Sequence, residues 1–124
     1  MTNIEKGLTL EADHRRRVFI PDCGRDDLPQ FFLDRGFKVG AEIGVYKGEY
    51  TEKLCKAGLK VYAIDPWSVE NYHYNQSQER QDFLYRHTQR VLTPYENCTI
   101  VRKTSMDALE DFEDESLDFV YIDA

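Results

Sequence analysis

The chain has 124 residues, with 23 acidic against 16 basic side chains, a net charge of −7 and a pI near 4.9. That length suits one domain able to bury roughly two-thirds of its unfolded surface, and the acidic balance argues against nucleic acid as a partner, since its phosphates reward clustered Lys and Arg. No apolar run approaches the roughly 18 residues needed to cross a bilayer, and the N-terminus carries no apolar signal core, so the expectation is a cytoplasmic protein without a membrane partner.

Residues 1–25 are polar, with Arg15 to Arg17 followed by Val18, Phe19, Ile20 and Pro21, which predicts an irregular arm with one short strand. Asp26 or Asp27 can cap a helix that carries Pro29 in its first turn, ends near Gly36 and packs Phe31 and Phe32 on a sheet. A first strand is expected over 39–43, its helix over 49–57, and a second strand over 60–65, with Gly58 marking the helix end. Ser77 to Leu92 reads as a long amphipathic helix, because Phe83, Leu84, His87 and Val91 recur at spacings of three and four; Pro94 stops it. A third strand over 98–102, a short helix over 105–111 and a fourth strand over 117–122 complete the pattern. Strands alternating with helices predict an α/β fold, a Rossmann-like parallel sheet with right-handed crossovers and flanking helices, spanning 26–124.

The functional signal is the stretch Val39 to Gly48, V-G-A-E-I-G-V-Y-K-G, followed about 20 residues after its turn by an acid, Asp65, at the tip of the second strand. Gly44 can take backbone angles closed to other residues and lets a ligand approach the main chain. Gly48 relaxes the same turn where a helix opens, presenting free N–H groups and a positive dipole end. Asp65 is thereby placed to accept from ribose hydroxyls. A dinucleotide-binding turn wants G-x-G-x-x-G, with the second glycine admitting a pyrophosphate. This turn is E-x-G-x-x-x-G: Tyr46 stands where the pyrophosphate needs room, and Glu42 repels phosphate and attracts an ammonium group. The expected ligand is an amino-acid-bearing nucleoside.

Ala41 to Gly48, together with Ile64-Asp65-Pro66-Trp67, resembles motif I and the following acidic motif of class I S-adenosylmethionine-dependent methyltransferases, most closely the small-molecule O-methyltransferases. The resemblance runs from Val39 to Asp123. It implies S-adenosylmethionine as cofactor, with Glu42 and Gly44 at the methionine end, Tyr46 and Gly48 in the turn, Asp65 on the ribose, Pro66 and Trp67 flanking the adenine, and Ser105 and Met106 touching the adenine ring. It also implies that Asp123, ending the fourth strand, is the catalytic carboxylate facing the transferred methyl group, a position that in related enzymes helps bind a divalent metal or orients the substrate. Trp67 could equally be core packing, and Asp123 a strand-end carboxylate facing solvent. The family continues past this acid, so the chain reads as the cofactor-binding half of a larger, C-terminally truncated enzyme. Phe119 to Ile122 is a continuous apolar run, the mark of a strand covered on both faces, and left at an edge it could drive self-association.

Several features carry alternatives. Tyr72, His73 and Tyr74 lie beyond the second strand and could line a substrate lid or a plain surface loop. Arg15 to Arg17 could pair with the acidic run Glu110 to Glu115 or contact an anionic substrate. His87 on an apolar stripe reads as packing rather than as a base. His14 and His73 have no ligand-spaced neighbours, and Cys23, Cys55 and Cys98 have no C-x-x-C spacing, so no metal is expected and the thiols should be reduced. The function expected is methyl transfer to a small-molecule hydroxyl, possibly of a sugar. The alternatives are a NAD-binding Rossmann oxidoreductase and a non-catalytic half-domain that pairs with a partner.

Overall fold

Four short apolar runs pair as parallel strands in the computed structural model, which describes residues 23–71 and 77–124. The strands are β1 (Val39–Ile43), β2 (Lys60–Ile64), β3 (Cys98–Val101) and β4 (Phe119–Ile122), in the order β3-β2-β1-β4. The chain steps outward from β1 to β3, then returns to β4 on the other side of β1. Strand order therefore reverses at β1, and in such sheets ligands bind beyond the carboxyl ends of the strands at that reversal. The expected strand near 18–20, Arg15 to Arg17, His14 and the aromatic group at 72–74 lie outside the described residues.

Four helices accompany the sheet: α1 (Leu28–Asp34), α2 (Glu49–Lys56), α3 (Gln78–Leu92) and the single turn α4 (Ser105–Ala108). A 3₁₀ turn at Arg25–Asp27 leads into α1, with the Asp27 carboxylate accepting from the Gly24 amide at 2.7 Å. Pro29 sits in the first turn of α1, where a missing N–H costs nothing. Ser77 caps α3 by accepting from the Arg80 amide, and Thr104 caps α4 by accepting from that of Asp107.

One sheet face packs Leu54, Leu59, Val61 and Phe119 against Phe32 of α1, whose ring stacks on Phe119 at 4.1 Å. Gly40 makes that stack possible. A Cβ at Gly40 would lie 2.2 Å from the Phe119 ring, so Gly40→Ala is expected to cost about 1–3 kcal/mol by overpacking. Urea denaturation should show that loss, and Phe119→Leu in the same chain should recover part of it. The opposite face packs Ala41 and Ile64 against Ala108, with Tyr62, Phe112 and Leu117 around them.

One expectation is corrected. The buried side of α3 is Gln81, Leu84, Thr88 and Leu92, while Phe83 is 48% exposed and His87 only partly covered. The helix docks away from its most apolar stripe by its Thr88 side, where the one hydroxyl proton of Thr88 is shared between the carbonyls of Tyr46 (3.0 Å) and Leu84 (2.8 Å), so that a polar side chain sits satisfied in the core. The apolar run of β4 stands at the edge of the described sheet, pairing there only with β1, as expected of a strand left without its cover. Val120 and Ile122 are 49% and 71% exposed.

Candidate functional site

Beyond β1 the chain makes a turn with three left-handed residues in five: Gly44 (φ 86°), Tyr46 (φ 61°) and Gly48 (φ 83°). At Gly44 the need for glycine is double, because a Cβ there would also lie 2.5 Å from the Asp123 carbonyl oxygen. Tyr46 holds its conformation without being glycine because both of its backbone groups are fastened. Its N–H donates to Asp65 Oδ2 at 3.2 Å, and its carbonyl accepts from Trp67 Nε1 and Thr88 Oγ1, each at 3.0 Å. Strain of about 1–3 kcal/mol at such a position persists only where the surroundings impose it.

Asp65 stands against this turn, on the same rim as Gly44. Its Oδ2 accepts from the Val45 amide (3.0 Å) as well as from Tyr46, and its Oδ1 accepts from the Trp67 amide at 2.8 Å. The residue is 4% exposed. The carboxylate expected to clasp a ribose is thus directed at main-chain donors, and it fixes the shape of the turn. Trp67, itself left-handed at φ 42°, is completely buried among Val45, Ala63, Leu84 and Leu92. Of its two sequence readings, core packing holds, and its ring offers no face to a ligand. Pro66 is half-buried beside it.

Glu42 on β1 is also buried, 1% exposed, and accepts a 2.5 Å hydrogen bond from Thr51 Oγ1 of α2. The expected charged mouth of the pocket is therefore an inward-facing acid. Burial pushes its pKa up to about 7; the Thr51 hydrogen bond opposes the rise, and the nearby carboxylates of Asp123 and Asp65 add to it. Near neutrality this acid is divided between charged and uncharged forms. It sits below the point where the strand order reverses.

Asp123 follows β4, its amide donating to the Ile43 carbonyl at 2.8 Å. Its side chain is 54% exposed and meets Arg25 at 3.2 Å. The Arg25 guanidinium lies 5.2 Å above the Tyr50 ring, the Tyr50 hydroxyl donates to the Arg25 carbonyl at 2.7 Å, and the Tyr50 and Tyr121 rings lie 4.7 Å apart. An exposed ion pair of this kind contributes little to stability. Ser105 and Met106 open α4 past the end of β3, and Met106 is 72% exposed.

The structure thus brings Glu42, Gly44, Tyr46, Gly48, Asp65, Pro66 and Asp123 together at the carboxyl ends of β1, β2 and β4, and leaves Trp67 beneath them. Sequence reasoning missed three residues here. Arg25 precedes the first helix without a motif. Thr88 is a polar residue within an apolar stripe. Arg102 reaches the Trp67 carbonyl (3.3 Å) and Asp82 (2.8 Å) from the end of β3; only its position after a strand marked it. Cys23, Cys55 and Cys98 form no disulfide. Among the described residues no three His, Cys, Asp or Glu side chains converge as a metal site, and no helix is long and apolar enough to cross a membrane.

No protein-family profile matches the sequence, and no curated protein is similar to it. Solved structures are similar in fold. The O-methyltransferase TomG of Streptomyces achromogenes, involved in tomaymycin synthesis and solved in complex with SAM, superposes with a TM-score of 0.60 at 15% identity over 100% of this chain and 54% of its own. The O-methyltransferase of Bacillus cereus in complex with SAH gives 0.57 at 19% identity, over 98% and 54%. Cofactor-bound Rv0187 from MTB gives 0.58 at 16% identity, over 98% and 51%. The chain has the Rossmann-like α/β fold of these proteins and spans about half their length.

Proposed function

We propose that the chain binds S-adenosylmethionine and takes part in methyl transfer to the hydroxyl of a small molecule, a sugar being one candidate, in the cytoplasm. The observation that carries this reading is the glycine turn clamped by Asp65 above the buried acid Glu42, at the reversal of a parallel sheet. A phosphate would meet an anion there. A ligand ending in an ammonium group would find a counter-charge whose desolvation it relieves. The O-methyltransferase structures of the same fold, two of them solved with SAM or SAH, support the choice. Since this chain spans about half of theirs, the activity and acceptor belong to the proposal.

When bound, the cofactor supplies a methyl group activated on a sulfonium sulfur. Glu42 would hold the ammonium in its ionised form, its proton released to solvent. Gly44, Tyr46 and Gly48 would shape the main chain against the amino-acid and ribose portions, with Asp65 bracing that shape through three main-chain amides and its remaining acceptor capacity left for a ribose hydroxyl. Pro66, Ser105 and Met106 border the adenine. Asp123 takes the proton of the acceptor hydroxyl, and Arg25 sets its orientation until the acceptor arrives. Holding the acceptor oxygen in line with the methyl carbon supplies much of the acceleration.

Calorimetric titration with S-adenosylhomocysteine and with NAD tests the reading against a nicotinamide oxidoreductase. Heat of binding with the first alone is expected; binding of NAD alone would overturn the proposal. The open edge of β4, with Val120 and Ile122 exposed, favours pairing with a further strand, and we include self-association through it in the proposal. Sedimentation should then show a dimer that Ile122→Lys dissociates.

A further inference from the structure

A groove between the start of α2 and the first three turns of α3 is lined by Lys47, Glu49, Arg80, Phe83, Leu84 and His87 and holds about 220 Å³. About 150 Å³ suffices for a benzene ring. Although the protein as a whole is strongly acidic, two fixed cations, Lys47 and Arg80, face a single carboxylate, Glu49, and leave one positive charge. One ring of the lining stands half-exposed, Phe83 (48%), stacked on His87 at 6.4 Å; Tyr46 (51% exposed) is not part of the lining but touches two residues that are. Lys47 Nζ lies 5.4 Å over the Tyr46 ring, and Arg80 donates to the Tyr46 hydroxyl at 3.4 Å, a long and readily exchanged bond.

Two independent features make this more than a solvated face. Tyr46, whose backbone is fastened in the left-handed conformation, keeps Lys47 and Arg80 together at one end of the groove through its ring and its hydroxyl. The second feature is that α3 docks by its Thr88 side, which leaves Phe83 out of the core and in the groove.

We propose that this groove is a binding site for a small single-ring carboxylate, its ring against Phe83 and Leu84 and its carboxylate on Arg80 and Lys47. A monoanion matches the charge left by the lining, and a planar ring matches the exposed Phe83 face. The site lies on the glycine turn's outer side and does not require that the turn hold any particular cofactor.

The test is an amide NMR titration of the whole chain with benzoate, benzyl alcohol and acetate. Benzoate is expected to shift the amides of Lys47, Arg80, Phe83 and His87 saturably, with a dissociation constant on the order of millimolar, and the other two probes to bind at least about fivefold more weakly. Arg80→Gln and Lys47→Gln should each weaken benzoate about tenfold, as expected when one charge-assisted contact is lost, with the melting temperature unchanged. Affinity for S-adenosylhomocysteine should stay the same in Arg80→Gln, so failure of the groove and failure of the cofactor reading are told apart. Acetate binding as well as benzoate, full benzoate affinity in both variants, or shifts confined to other regions would each overturn the proposal.

Discussion

Truncating Trp67 to alanine is expected to cost about 3–5 kcal/mol, as large-to-small changes of buried aromatic residues do, which is a large share of the 5–15 kcal/mol that typically stabilises a domain. Trp67 is fully buried, packs on Tyr85 with ring centroids 5.0 Å apart, and donates its indole N–H to the Tyr46 carbonyl. The truncation would remove the packing and one of the two donors that hold Tyr46 left-handed. Trp67→Phe keeps most of the packing and should cost about 1–3 kcal/mol, chiefly through the lost donor. As Trp67 is the single tryptophan of the chain, unfolding has to be followed by circular dichroism. Had the ring flanked an adenine instead, the alanine variant would keep its stability and lose only ligand affinity.

Glu42 carries the second large effect. Its pKa of about 7 in the folded chain exceeds the ordinary 4.5, so between these values the folded state keeps a proton that the unfolded state has released. The stabilisation this gives is fully present below pH 4.5 and is lost as pH rises through 7. Stability is therefore expected to fall from about pH 5 to pH 7.5 by up to about 3 kcal/mol. Glu42→Gln keeps an acceptor for Thr51 and removes the charge, so its contribution should be independent of pH and the variant should be the more stable protein at pH 8. Ligand binding should run the other way. An ammonium group favours the ionised acid, so affinity for S-adenosylhomocysteine should rise with pH across the same window, approaching tenfold per unit below 7, and in Glu42→Gln it should be weak and flat. Equal pH slopes in both proteins, for stability or for affinity, would remove Glu42 from the account.

The strands and the parallel order were legible because their signals are local. Val39 to Ile43 is apolar but for Glu42, runs into Gly44 and is followed by a helix with its own stop at Gly58; each sign points to the same element. The side of α3 that meets the core was not legible. Apolar periodicity favours Phe83, whereas the helix docks where Thr88 finds the Tyr46 carbonyl, 42 residues earlier in sequence. The candidate site divides in the same manner. Gly44, Gly48 and Asp65 could be picked out by spacing alone, and they do stand side by side. The burial of Glu42 could not, because it depends on Thr51 from α2 and on the neighbouring β4. Nor could the three main-chain amides that Asp65 accepts, since a carboxylate at a strand tip reads alike whether it faces ligand or backbone. Trp67 shows the limit most plainly: an aromatic residue after a strand's acid suits a ligand wall or a core equally well, and only α3 lying over it decides.

The most direct measurement is an amide NMR titration of the chain with S-adenosylhomocysteine at pH 7.5. The account predicts saturable shifts at Gly44, Val45, Tyr46 and Trp67, whose amides line or brace the turn, with smaller shifts at Ser105 and Met106 and with NAD leaving all of them in place. Shifts produced by NAD alone, or a turn left unmoved while S-adenosylhomocysteine binds elsewhere, would contradict it.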